Sequence, residues 1–463
     1  MPLTSIERFH LHSGNSAHPN LLFCRVIIAG SLQRKPLEKA LERVLIRHHI
    51  FSRRLAGTSQ NLAWINAPEH QTSLLTWIQP PGNTPLDTSF MPAARDLEVK
   101  LDLHSTPGAH VWYQPPSAAT HSMLFLAIHH SVADGLGGSR IINELVIVYD
   151  NLFAGRAWDD GLRRLDLTRL SQRHRLGLNR WNYWKHIWKQ PIALAGMAKF
   201  LFRGFHVILE NRKNVINVSN DESASAASGM IGRWISEELS AQIDRFANDK
   251  AISANSVAMA SVFYALPNWS RQQNDASARK WLRMVLPISV ASKDDLRSPI
   301  TNRATIVQVD RCEEQMSDTD SFLHYLDREV KIIVGWQFDK LFLLIVRMMS
   351  LSRWWLRRSA ADPRARGTIV FTNLGQPFRS VAKRVKKLSR GTPDANPPTE
   401  IIDFDYAGPT RSGMPLNFTI QRYQQRYRIT SRFDQRVLAS EQANRFLKQV
   451  ENELDRITSP TSA

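Results

Sequence analysis

Two adjacent histidines followed at short range by an aspartate and a cluster of glycines make up the stretch best suited to chemistry. Residues 127–138 read Ala-Ile-His-His-Ser-Val-Ala-Asp-Gly-Leu-Gly-Gly, which places His129 and His130 just ahead of Asp134 and Gly135. An imidazole that titrates near neutrality can take a proton from a hydroxyl or an amine. Asp134 is near enough in sequence to fold under the histidine loop and hold it. A metal site is a poorer reading, because no cysteine or carboxylate cluster supplies further ligands at metal spacing. No GxSxG elbow suggests a covalent acyl-enzyme. A second histidine pair, His48–His49, has no Asp-Gly after it and is predicted to close a helix and pack.

The elements that position these side chains follow from apolar patterning. Residues 123–128 form a short apolar run after Pro115-Pro116-Ser117, which predicts a buried strand paired with 111–113. The histidines then stand at a strand end. Gly135, Gly137 and Gly138 break the strand, and 141–149 has a helical apolar pattern. Upstream, Thr4 and Ser5 are N-cap candidates with Glu7 in the first turn, 21–29 reads as a strand, and 37–48 as a helix. Residues 219–229 are polar and suit a crossover. Beyond them, strands are predicted at 232–235, 282–290, 305–309 and 368–373, with a hairpin over 417–432. Helices are predicted from Ser236, over 253–265 and over 440–457. Strands and helices mix without regular βαβ alternation, which predicts an α+β fold.

With 463 residues, 43% hydrophobic and 22% charged, the chain has room for two or three domains and a sizeable core. Only Cys24 and Cys312 occur, so no disulfide framework is implied and a reducing compartment fits. The first residues carry no signal-peptide core, and no apolar run approaches the roughly 18 residues that span a bilayer. The expectation is a cytoplasmic protein, soluble or peripheral on the inner face of a membrane.

The net charge of +18 favours an anionic partner. One basic segment holds Arg169, Arg173, Arg175, Arg180, Lys185 and Lys189 with Trp181, Tyr183, Trp184 and Trp188. A second holds Arg347, Arg353, Arg357, Arg358, Arg364 and Arg366 around Trp354 and Trp355. A third, Arg379, Lys383, Arg384, Lys386, Lys387 and Arg390, is purely basic. Tryptophan mixed with cations suits an anionic membrane surface. Solvated helix faces remain the competing reading. Nucleic acid is disfavoured, since no zinc finger, RNP motif or basic heptad pattern is present.

The HHxxxDG pattern resembles the signature of the CoA-dependent acyltransferase superfamily. That group includes chloramphenicol acetyltransferase, peptide-synthetase condensation domains, alcohol acetyltransferases and bacterial wax ester synthase/diacylglycerol acyltransferases. The similarity covers most of the chain: the opening residues 2–9 with His18-Pro19, then Met284-Val-Leu-Pro-Ile-Ser, Thr301-Asn302-Arg303, Val370-Phe-Thr-Asn373-Leu-Gly375-Gln-Pro377, and Gly408-Pro409 through Asn417. The DFGWG segment of the plant enzymes is absent.

The resemblance implies two chloramphenicol-acetyltransferase-like subdomains in a V around a central tunnel: 1–165 with the motif, a basic connector 166–229, and 230–463. It implies His130 as general base, His129 as support for the loop, Asp134 as its orienting group and Gly135 as the residue permitting the turn. Ser289, Asn302, Thr372 and Asn373 match positions that would bind substrate or its oxyanion. Ala291 stands where related sequences have the arginine that pairs with the motif aspartate, so Arg297 or Arg303 is expected to replace it. The implied reaction moves an acyl group from acyl-CoA or an acyl carrier protein to an alcohol, with no cofactor beyond that thioester. Amide-forming condensation and a non-catalytic lipid- or partner-binding homologue are the alternatives.

Overall fold

The computed structural model describes residues 1–15, 17–58, 61–67, 74–78, 90–116, 121–175, 187–189, 191–192, 195–196, 203–205, 228–272, 281–291, 293–362, 367–388, 398–411 and 413–459. The first half contains α1 (Ser5–His12), β1 (Leu21–Ala29), α2 (Arg34–Arg47), β2 (Arg53–Ala56), β3 (Ala63–Asn66), β4 (Leu75–Trp77), α3 (Ala94–Lys100), β5 (Ala109–Gln114), β6 (His121–His129) and α4 (Gly135–Phe153). After the connector come β7 (Ser228–Trp234), α5 (Glu237–Asp249), α6 (Ala254–Gln272), β8 (Trp281–Ser289), β9 (Ala304–Cys312), α7 (Thr319–Gly335), α8 (Asp339–Met349), α9 (Arg353–Ala360), β10 (Ile369–Asn373), α10 (Arg379–Leu388), β11 (Ile401–Ala407), β12 (Leu416–Tyr423), β13 (Arg426–Asp434) and α11 (Ser440–Thr458).

Two sheet-bearing lobes result, so the fold is α+β. The first sheet runs β11-β1-β6-β5-β4 and the second β7-β13-β12-β10-β8-β9. Strand β6 is apolar from Met123 to Ile128, where both its faces are covered, a pattern expected of a strand buried on two sides. Leu124, Leu126 and Ile128 join Leu41, Val44, Ile141 and Leu145 beneath α2 and α4. Phe125 and Ala127 pack on the opposite face with Phe23, Leu97 and Trp112. In the second lobe, α6 and α11 cover the sheet through Phe263, Leu266, Phe446 and Val450.

Helix α1 forms where the sequence places it. Thr4 Oγ1 accepts the Glu7 N–H at 3.3 Å, and Glu7 Oε2 accepts the Thr4 N–H at 2.9 Å, a reciprocal cap of the first turn. Glu7 is buried and also takes the Arg173 guanidinium at 2.8 Å and the Trp64 indole N–H at 3.1 Å. Ile6 and Phe9 then pack on Leu343, Val346 and Leu356 of α8 and α9, which fixes the last turn of α1 against the second half of the chain.

One strand departs from a contiguous division at residue 230. Strand β11 pairs antiparallel with β1, Phe23 opposite Ala407, and so completes the first sheet from a distant part of the sequence. Its Asp405 is ion-paired with Arg25 of β1 and, at 2.9 Å, with Arg428 of β13. A buried carboxylate held by two guanidinium groups joins the lobes there.

Candidate active site

The ladder of β6 ends at His129, whose N–H donates to Gly108 O at 2.8 Å. The chain then turns. The His129 Nδ1 accepts the Ser131 N–H at 3.2 Å and lies 2.7 Å from Ser131 Oγ, so this ring is held inside the turn. The backbone N–H of His130 donates to Asn20 O, just ahead of β1, at 2.9 Å. Both histidines keep partial exposure.

Two groups fix the His130 ring from different directions. Asn302, from the segment before β9, accepts the Ala304 N–H on Oδ1 at 3.0 Å, which orients its amide. Its Nδ2 therefore faces His130, donating to the carbonyl at 2.6 Å and lying 2.8 Å from Nδ1. On the face of the ring lies His10 of α1, with centroids 4.2 Å apart and planes within 3° of parallel. His10 is held by Asn20, whose amide nitrogen donates to the His10 carbonyl at 2.8 Å and to Ser13 Oγ at 2.8 Å, and lies 3.3 Å from His10 Nδ1.

All three imidazoles are neutral at pH 7. Burial lowers His130 to about 4, opposed by the bond its ring makes to its own carbonyl and reinforced by Arg411. Burial lowers His129 to about 3, with His130 adding to the effect, and takes His10 well below the ordinary range. The His130 proton has two sites. On Nδ1 it donates to its own carbonyl oxygen and leaves the Nε2 lone pair free as a base. On Nε2 it leaves Nδ1 to accept from Asn302.

Asp134 caps α4. One carboxylate oxygen accepts the Gly137 N–H at 2.8 Å and the other accepts the backbone N–H of Arg303 at 2.8 Å. Burial raises its carboxyl, against the pull of those two N–H groups and of the Arg303 charge. The expected ion pair with Arg297 or Arg303 is not made: the Arg303 guanidinium pairs instead with Asp295 at 2.6 Å, and only its amide reaches Asp134. Arg297, with Arg163, Arg164 and Asp166, lines a solvent-open cavity of about 770 Å³ that includes none of the motif residues.

The role of Gly135 also differs from the expected turn. It is the first residue of α4 and is not among the glycines with positive φ. A Cβ there would come within 2.7 Å of Leu374 Cδ2, and one at Gly138 within 2.7 Å of the Tyr406 hydroxyl. These glycines let the second half of the chain approach the helix.

Of the substrate-binding candidates, the structure brings Asn302 alone into described contact with His130. Ser289 Oγ accepts the Ala291 N–H at 3.2 Å at the end of β8. Asn373 bonds Asn255 Oδ1 at 2.9 Å and the Gly375 N–H at 2.8 Å, and Thr372 sits in β10 opposite Thr419. Of the second histidine pair, His48 packs as expected, its Nε2 lying 2.9 Å from Glu144 and its Nδ1 accepting the Ile300 N–H at 3.2 Å. Sequence reasoning missed His10 and Asn20. The one available signal was that His10 follows Ile6 by four residues and so shares the buried face of α1. Among the described residues, no group of three His, Cys, Asp or Glu could hold a metal, and no helix is long and apolar enough to cross a membrane.

This fold, with histidines at the end of a central strand, is shared with solved condensation and epimerization domains. The first condensation domain of the calcium-dependent antibiotic synthetase, solved in complex with a substrate analogue, superposes with a TM-score of 0.66 at 14% identity, covering 100% of this chain and 97% of that one. The epimerization domain from the third module of tyrocidine synthetase B gives 0.61 at 14%, covering 99% and 96%. Polyketide synthase associated protein 5 from Mycobacterium tuberculosis gives 0.60 at 13%, covering 99% and 98%. Neither protein-family models nor curated proteins give a match to this chain.

Proposed function

We propose that the protein transfers an acyl group from a thioester to a nucleophilic acceptor, with His130 as general base. The carrying observation is a neutral imidazole held on one face by His10 and at one edge by Asn302, at a strand end, in the fold shared with condensation domains. The acceptor heteroatom attacks the thioester carbonyl carbon while Nε2 of His130, in the tautomer that carries the ring proton on Nδ1, takes its proton. The tetrahedral adduct then breaks its C–S bond, and the proton passes from His130 to the departing thiolate. Base assistance of this kind contributes about 10² to 10⁴ in rate.

An amine acceptor, giving an amide, is the better supported form, since the condensation domain of the calcium-dependent antibiotic synthetase is among the similar structures. The alcohol acceptor first read from the sequence becomes the second reading. The donor is a carrier-protein thioester or acyl-CoA. Single-turnover assays with both donors against a panel of amines and alcohols test the reading. Transfer that His130→Ala abolishes supports it, and no transfer to any acceptor defeats it.

A lipid-facing role has its own support. The corner between α8 and α9 carries Met348, Leu351, Trp354 and Trp355, exposed by 70, 89, 59 and 60% respectively, beside Arg347, Arg353, Arg357 and Arg358. Protruding aromatics ringed by cations suit an anionic bilayer surface, each cation adding about 1 kcal/mol near it. In the connector, Trp188 is also exposed, while Arg180, Trp181, Tyr183, Trp184 and Lys185 lie outside the described residues, as do Arg364, Arg366 and Arg390. Co-sedimentation with anionic but not neutral vesicles supports this role. Equal binding to both, or to neither, rejects it.

A further inference from the structure

We propose that His10 is a positioning residue for His130, a flat uncharged wall in the last turn of α1 that fixes the plane of the His130 ring and keeps water from its face. The inference deepens the acyl-transfer reading and rests on it.

His130 lies beyond the last residue of β6, where no ladder partner constrains its side chain. Asn302 holds its carbonyl and one ring edge. An edge contact leaves the ring free to pivot about that edge. The parallel contact with His10 at 4.2 Å and 3° removes that freedom. His10 is itself fixed from two sides: Asn20 holds its carbonyl, and Phe9 and Ile6 anchor α1 on α8 and α9. Asn20 is shared, because its own carbonyl takes the His130 N–H. One residue thus sets the spacing of both rings.

The wall must stay uncharged. The titratable and charged groups that bear on the pair are His129 on β6 and Arg411 in the segment between β11 and β12. None of them is acidic. A proton on His10 would face cations or potential cations alone, so this imidazole serves as a ring and not as a second base. Misplacement of a catalytic group by about 1 Å can cost on the order of 10² in rate, which is the scale a positioning residue controls.

The test uses the full chain carrying isotopically labelled histidine, with NMR titration of His130 beside single-turnover rates. In His10→Ala, water reaches the exposed ring face. The His130 titration then moves up from about 4 toward the ordinary range. Its tautomers mix, and kcat falls about tenfold or more with little change in KM. His10→Phe restores a flat face and is expected to return the titration near its original position and recover most of the lost rate. Should His10→Ala fail to fold, His10→Leu, with bulk but no flat face, takes its place with the same expectation.

The proposal is overturned if His130 titrates and tautomerises identically in the wild-type and His10→Ala proteins. It is equally overturned if His10→Phe is as damaging as His10→Ala. A wild-type protein that transfers no acyl group sinks the functional reading instead, and the NMR titration still decides the positioning role.

Discussion

Asp134 binds Arg303 through the arginine's backbone amide at 2.8 Å, not through an ion pair with its guanidinium, while its other oxygen caps α4 at Gly137. A single carboxylate therefore ties the N-terminus of a helix in the first lobe to the residue just ahead of β9, the edge strand of the second. Two N–H groups need two acceptors there.

Replacement of Asp134 by Asn supplies one acceptor and turns a donor toward the other N–H. The expected loss is about 1 to 3 kcal/mol for the stranded amide, with up to about 1 kcal/mol more for the weakened cap. Arg303→Gln keeps the amide and should cost less than Asp134→Asn in urea unfolding. The reverse order would mean that charge pairing, not the backbone bond, holds this junction.

Asn302→Ala removes the donor to the His130 carbonyl and the contact with its ring edge. Turnover is expected to fall about 10- to 100-fold with the fold retained, on the scale of a displaced catalytic group. His130→Ala should cost at least about 10². The double variant should be no worse than His130→Ala, because Asn302 acts through that ring. Additive losses in a double-mutant cycle would refute the dependence.

The two motif histidines contribute to the acid limb of stability. With folded values of about 4 for His130 and about 3 for His129, against an ordinary value of 6.5, the unfolded chain binds protons that the folded chain does not. Stability is then fully present above about pH 6.5 and falls as pH drops toward 4, by up to about 1.4 kcal/mol per pH unit for each histidine. Chemical unfolding at pH 7, 6 and 5 measures the slope. A flat profile through that window would contradict the lowered values of these rings.

Gly138→Ala tests why the motif carries glycines. Within a helix, alanine is normally better than glycine by about 1 kcal/mol. Here the added Cβ lies 2.7 Å from the Tyr406 hydroxyl and 3.3 Å from Ile128 Cδ1. Overpacking is expected to reverse the sign and destabilise by about 1 to 3 kcal/mol. A raised melting temperature would show that β11 can move away from α4.

What the sequence by itself determined is what neighbouring residues decide. The apolar run of β6, the reciprocal cap of Thr4 and Glu7, strand β1 and helix α11 all rest on short-range periodicity and on side-chain bonds spanning a few residues. The placement of His129, His130 and Asp134 at a strand end followed from the same local rules, as did the packing role of His48. The tertiary structure decided the relations between distant residues. It brought β11 from residue 401 to the edge of β1, set Asn302 against His130, seated His10 of α1 on the same ring and gave Asp134 an amide where an arginine side chain was expected. Each of those contacts forms between groups that local pattern treats as independent. A backbone N–H carries no sequence signature at all, and a histidine on a buried helix face reads alike whether it touches leucine or another imidazole. Only the packing of distant segments in space makes the difference.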